Sequence, residues 1–152
     1  MCKHTGLLLG LLVLLSGGVQ GRDEAASATR YGIAADLRTY PQGTAKETLA
    51  SVFKAIEAKR VAYVVAQLAD PAFVDDRVQR LYGGRFEQQV EDSRARLDPL
   101  TVKLLQRFLK DGEWQEDKDR VTVRLKDEAR RLYFKKNKGR WFMEHASKPA
   151  AR

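Results

Sequence analysis

Residues 121–145 read VTVRLKDEARRLYFKKNKGRWFMEH, and this stretch decides the fold. In its first part Val121, Val123 and Leu125 alternate with polar residues, which is the period-two pattern of a half-buried strand. Two further runs of strand-forming residues follow and are joined by Asn-Lys-Gly. Trp114 marks the start of an earlier strand. The sequence therefore predicts an antiparallel meander in this part of the chain.

The last two strands form a predicted hairpin. Residues 137–139 fit a three-residue loop with the glycine in the left-handed conformation. This loop places Lys136 opposite Arg140, and Phe134 opposite Phe142. Both faces of the hairpin then carry apolar side chains. We expect one face to cover the helices, and the other to line a cavity or to meet a partner such as a second copy of the chain.

Helical patterns precede the strands. Thr44 and Glu47 form a T-x-x-E capping box, which starts the first helix. An apolar stripe with helical spacing runs to Ile56 and resumes, out of phase, at Val61. This phase shift predicts a bend or a new helix at Val61, and not one straight helix.

Asp-Pro pairs at residues 70–71 and 98–99 predict two later helix starts. The pair Gly83-Gly84 ends the first of these helices, and a polar segment after it predicts an exposed helix. The last helix carries one apolar face, made by Leu100, Leu104, Leu105, Phe108 and Leu109. Helices first and a meander last predict an α+β fold, in which the helices pack on a curved antiparallel sheet.

Residues 1–21 have the three parts of a signal peptide. Lys3 supplies the positive charge, residues 7–15 are apolar, and Val19 and Gly21 fit the −3 and −1 positions of a cleavage site. The apolar run is shorter than the roughly 20 residues that a membrane span needs. The sequence predicts export, to the periplasm or out of the cell, after cleavage near Gly21.

The cysteine content and the net charge limit the covalent chemistry and the partners expected of the mature protein. Cys2 precedes the apolar run, so it cannot carry the lipid of a lipoprotein and leaves with the signal peptide. The remaining chain has no cysteine for a disulfide, and it holds 27 basic and 20 acidic residues, a net charge of +7. For an exported protein this charge favours a membrane surface or an acidic polysaccharide over nucleic acid. A merely soluble basic surface is the simpler alternative.

The length of the mature chain predicts one domain. We divide it into a lead-in segment at residues 22–43, a single α+β domain at residues 44–146 and a flexible tail at residues 147–152.

Two segments resemble the nuclear transport factor 2-like (SnoaL-like, cystatin-cone) superfamily. Residues 44–70, TAKETLASVFKAIEAKRVAYVVAQLAD, are similar to its capped first helix, short charged break and second helix. Residues 131–145 are similar to its closing hairpin. The resemblance implies a curved sheet wrapped around helices to form a cone with a pocket. That fold serves enzymes, binding modules and dimerisation domains alike. The superfamily's enzymes usually place Asp, His or Tyr inside the cone, whereas the only mature histidine here is His145, so no catalytic set is transferred.

The sequence contains no recognisable catalytic, metal or cofactor motif. The serines lie in no nucleophile motif, and the acidic residues between 111 and 119 lack the spacing of a calcium loop. The leading interpretation is an exported, non-catalytic binding or interaction domain, and the alternative is a small enzyme with its site in the cone. For either interpretation the candidate ligand-binding residues are Tyr63, Tyr133, Trp141, Glu144 and His145.

A third interpretation is a basic module that binds an anionic component of the cell envelope. Residues 130–140 hold six cations and no acid, beside three aromatic residues. The cations are Arg130, Arg131, Lys135, Lys136, Lys138 and Arg140. Charge and aromatic stacking together suit a polyanion or an acidic carbohydrate. Alternatively, the cations only protect an exposed hairpin from edge-to-edge aggregation.

Overall fold

The computed structural model describes residues 28–144, and the predictions for the signal peptide, His145 and the tail lie outside these residues. The described chain has an α+β fold, as predicted, with five helices followed by a four-stranded sheet. None of the helices within residues 28–144 is long and apolar enough to cross a membrane. The elements are β1 (Thr29–Arg30), β2 (Ile33–Ala34), α1 (Ala45–Glu57), α2 (Val61–Tyr63, continued by a π-helix at Val64–Leu68), α3 (Pro71–Tyr82), α4 (Phe86–Arg96), α5 (Pro99–Asp111), β3 (Glu113–Asp117), β4 (Arg120–Leu125), β5 (Glu128–Asn137) and β6 (Arg140–Glu144).

The predicted antiparallel meander is confirmed, with strand order β3-β4-β5-β6, and Trp114 lies in β3. Successive side chains along each strand point to opposite faces of the sheet. The inner face packs on α1 and α5, and the outer face lies opposite to it. The main core joins the inner face to these two helices. Its largest members are Leu49, Leu105, Phe108, Val121, Val123, Phe134 and Trp141.

The predicted three-residue hairpin loop is wrong. Asn137 pairs with Arg140, so the loop has only two residues, Lys138 and Gly139, with φ of 47° and 77°. Two consecutive left-handed residues make the turn whose twist matches that of the flanking strands. Pairing is therefore shifted by one residue, and Phe134 lies opposite Met143. The shift places the Trp141 side chain on the inner face of the sheet. The next residue, Phe142, lies on the outer face.

The predicted break between the first two helices is confirmed. The capping box forms, since the Thr44 hydroxyl accepts from the Glu47 N–H and the Glu47 carboxylate accepts from the Thr44 N–H, both at 3.0 Å. The chain turns at Lys59, which has a φ of 57°, before α2 begins at Val61.

The helical period predicted after Val61 is wrong from Val64 onward, where the chain forms a π-helix. The Ala69 N–H donates to the Val64 carbonyl at 2.9 Å, which is the i→i+5 bond of a π-turn. All five residues Val64–Leu68 are buried. Because this segment has no solvent face, apolar periodicity does not determine its geometry.

Both Asp-Pro pairs start helices as predicted, and Gly83 ends α3 with a φ of 56°. Asp98 caps α5 by accepting from the Thr101 N–H at 2.7 Å. The predicted apolar face of α5 is wrong at Leu100, which is 76% exposed, because the buried contacts of α5 are made further along the helix, at Leu105 and Phe108.

The β6 edge of the sheet is covered by backbone from two other segments. The Trp141 N–H donates to the Gln42 carbonyl at 3.0 Å, and the Asp70 N–H donates to the Met143 carbonyl at 2.9 Å. Tyr40 and Gln42 are buried, so this part of the lead-in segment is packed into the fold. These contacts hold the end of α2 against β6 and position the cavity described next.

Candidate ligand cavity

A cavity of about 240 Å³ lies where α2 to α5 meet the inner face of β5 and β6. Most of its lining is apolar, and every element around it contributes. Apolar lining residues include Val61, Val65, Phe73, Leu105, Leu132 and Met143. The π-helix supplies one wall, and π-turns are frequent at functional sites. Such a concave, mainly apolar site with polar groups on one side is the usual form of a small-molecule site.

The polar side of the cavity is a hydrogen-bonded cluster between α3 and α4, which we call the Arg77 network. Arg77 Nε donates to Gln89 Oε1 at 2.9 Å, and Nη2 donates to Asp92 Oδ2 at 3.0 Å and to the Tyr82 hydroxyl at 3.1 Å. The Tyr82 hydroxyl in turn donates to Asp92 Oδ2 at 2.9 Å. The network fixes these side chains because each of them has at least two partners.

The electrostatics of the network suit binding better than proton transfer. The hydrogen bond from Tyr82 lowers the pKa of Asp92, with help from the charges of Arg96 and Arg77. Asp92 is therefore ionised at neutral pH and is unsuited to act as a general acid there. Ser93 donates to the Gln89 carbonyl at 2.8 Å and accepts from Gln89 Nε2 at 3.0 Å, and its hydroxyl forms no hydrogen bond with a basic side chain within residues 28–144.

The charged residues that line the cavity are two cations, Arg77 and Arg96, and two anions, Asp92 and Glu144. Asp92 faces both Arg77 and Arg96, and Arg96 Nη2 lies 3.1 Å from Asp92 Oδ2. Glu144 also lines the cavity, but its carboxylate pairs with Arg120 at 3.3 Å. Asp92 is thus shared by two guanidinium groups at the edge of an apolar cavity, whereas Glu144 is paired with a guanidinium from outside the lining.

The structure does not bring the predicted ligand-binding residues together. Glu144 lines the cavity, whereas Trp141 is buried in the main core and Tyr133 is half-buried on the outer face of the sheet. Tyr63 is buried elsewhere, where its hydroxyl accepts from the Asp36 N–H at 2.9 Å. His145 lies outside the described residues.

The six predicted polyanion-binding residues are also dispersed. Arg131 and Lys135 are exposed on the outer face, Lys138 lies in the hairpin turn, and Arg130 pairs with Glu128 at 3.0 Å. Lys136 has its Nζ 5.9 Å from the centre of the Trp141 ring. Arg140 is buried, so the structure removes it from any exposed basic surface.

Arg140 instead belongs to a buried polar cluster with Gln42 and Gln67. Its Nη2 donates to Gln42 Oε1 at 2.5 Å and to Gln67 Oε1 at 3.1 Å. Gln67 Nε2 donates to the carbonyls of Ala28 at 3.1 Å and Ile33 at 2.7 Å. Burial lowers the pKa of Arg140. This cluster ties α2, β6 and the segment before α1 together.

Sequence reasoning missed Arg77, Gln89, Asp92 and Ser93. On each helix by itself these residues look like an ordinary solvated face. The Gly83-Gly84 pair, which reverses the chain between α3 and α4, is the sequence signal closest to them. It predicts that the two helices are neighbours, but not which polar residues meet.

Within residues 28–144 no group of three His, Cys, Asp or Glu side chains is placed to hold a metal ion. No protein-family model, curated protein or solved structure matches this chain. The cavity therefore has to be interpreted from its own geometry.

Proposed function

We propose that this protein is an exported, non-catalytic domain that binds a small, mainly apolar molecule in the cavity. The observation that carries the proposal is an apolar lining with one polar wall, whose charged side chains are paired with each other. An enzyme site needs a nucleophile with a base, or converging ionisable groups free to exchange protons. The paired geometry around Asp92 and Ser93 favours binding over catalysis.

The size of the cavity limits the ligand. Sites for drug-sized molecules measure about 300–1,000 Å³, so 240 Å³ suits a smaller molecule. A ligand that buries about 200 Å² of apolar surface gains about 5 kcal/mol before the cost of association. Dissociation constants in the millimolar range or weaker are therefore expected for simple probes.

Filling the cavity is expected to weaken ligand binding strongly. Val65 is buried in its wall, and Val65→Phe adds volume where the ligand would lie. We expect at least a tenfold loss of affinity for octan-1-ol, measured by NMR titration. Leu100→Phe is the matched control, because Leu100 is exposed and does not line the cavity, and it should bind as the parent does.

Thermal unfolding of both variants checks that they are folded. Should Val65→Phe be unstable, Leu132→Phe fills the cavity from the sheet side. Parent-like affinity in a folded cavity-filling variant would refute the proposed site.

A second candidate function is the binding of an anionic polymer on the outer face of the sheet. The β4–β5 register places Arg120 opposite Lys135 and Arg124 opposite Arg131, and like charges directly opposite are destabilising. Arg120 and Arg124 are compensated by acidic residues, whereas Arg131 and Lys135 form no ion pair within residues 28–144. A second copy of the chain would bring the same cations, so this charge pattern favours an anionic partner over the homodimer expected from the sequence.

The double variant Arg131→Ser/Lys135→Ser is expected to elute from a heparin column at lower salt than the parent. The contacts are exposed and electrostatic, so added salt screens them. Lys103→Ser/Lys110→Ser removes the same net charge from exposed positions of α5 and serves as the control. Equal shifts for the two variants would show that only net charge matters and would exclude a polyanion site on this face.

A further inference from the structure

Arg77 is held rigidly beside the cavity. Its guanidinium is fixed by hydrogen bonds to Gln89, Tyr82 and Asp92, and its Cζ lies 5.7 Å from the centre of the Phe73 ring. The side chain is only 17% exposed. Because the Arg77 side chain is already ordered in the free protein, it loses little further conformational entropy when a ligand binds to it.

Part of the guanidinium is left for a ligand. The hydrogen bonds of Arg77 within residues 28–144 use Nε and Nη2, and none of them uses Nη1. Arg77 lines the cavity, as does Arg96, but Arg77 is the less exposed of the two and its Nη1 makes no hydrogen bond within residues 28–144. A carboxylate is the natural partner, since charge-assisted hydrogen bonds are about twice as strong as neutral ones.

The charge balance of the wall agrees with this choice. Asp92 is shared by Arg77 and Arg96, so these three side chains together carry one positive charge, and the other lining anion, Glu144, is paired with Arg120. An anionic group entering here offsets that charge, whereas an ammonium group would add to it.

We propose that the ligand is a small amphiphile with an apolar body and a carboxylate end, which Arg77 binds through Nη1. This inference rests on the proposed function, since it assigns the end group of the molecule that occupies the cavity. Arg77 then determines specificity, and the apolar walls supply most of the affinity.

The experiment compares three probes of equal chain length, octanoate, octan-1-ol and octylamine, by NMR titration. The parent should bind octanoate about tenfold more tightly than octan-1-ol, and octylamine most weakly. Arg77→Met should lose the preference for octanoate while it still binds octan-1-ol. Arg80→Met is the matched control, because Arg80 lies on the same helix, is exposed and does not line the cavity.

The outcomes separate the two proposals. Equal binding of octanoate and octan-1-ol by the parent, or an unchanged preference in Arg77→Met, overturns the carboxylate inference and leaves the apolar site standing. Failure of all three probes to bind overturns the proposed function as well. If Arg77→Met does not fold, Arg77→Lys keeps the charge but loses the planar fork, and its preference should fall; an undiminished preference would count against Arg77.

Discussion

The Phe108→Ala variant is expected to lose about 3–5 kcal/mol of its free energy of unfolding. Phe108 is fully buried in α5, where it packs in the core between α1 and the inner face of the sheet. Removing the ring loses its apolar burial and leaves a cavity that a close-packed core refills only in part. Small domains are stable by about 5–15 kcal/mol, so the loss should be visible as a large fall in the denaturation midpoint.

Urea unfolding followed by circular dichroism measures this effect. Leu100→Ala is the control, because Leu100 lies on the same helix but is 76% exposed, and its loss should stay within about 0.5 kcal/mol. Similar losses for the two variants would contradict the assigned packing of α5.

The second large effect is expected for Gln67→Leu, which should cost about 3 kcal/mol or more. Gln67 is fully buried, and its side chain bonds to the carbonyls of Ala28 and Ile33 and accepts from Arg140. Leucine has a similar size but leaves these groups without that partner. A buried polar group that loses its hydrogen bond costs about 1–3 kcal/mol, and a charged group costs more.

The matched control is Gln106→Leu, which makes the same chemical change at an exposed position of α5. It should leave the unfolding midpoint nearly unchanged. Hydrogen exchange adds a local measurement, because Gln67→Leu should reduce protection in residues 28–34 in particular. Unchanged stability in Gln67→Leu would mean that the cluster around Arg140 contributes little to holding these segments together.

The sequence predicts the strands and helix starts well because their signals are local. Alternation in residues 121–125 and the capping box at Thr44 depend only on near neighbours, and both are confirmed. The hairpin register was wrong by one residue because Asn-Lys-Gly is compatible with either a two- or a three-residue loop. The structure selects the shorter loop, in which Lys138 also has a positive φ.

The candidate site was harder to predict because it is a product of tertiary contacts. Arg77 and Asp92 are 15 residues apart and become neighbours only when α3 and α4 pack together. The basic residues between 130 and 140 are close together in the sequence. In the structure, strand alternation places them on different faces of the sheet, and Arg140 is buried. Composition can therefore indicate a charge excess without showing which surface carries it.

The two edge strands of the sheet, β3 and β6, differ in whether they can pair with an incoming strand, because backbone from other segments covers β6. With Gln42 and Asp70 occupying positions along β6, the edge of this sheet that stays unpaired within residues 28–144 is β3. That strand carries Glu116 and Asp117, which form no ion pair within residues 28–144, so two copies meeting edge to edge would bring carboxylates together. A strand that lengthens this sheet is therefore favoured when it presents basic residues to β3, and self-assembly by continuous sheet growth is disfavoured at both edges.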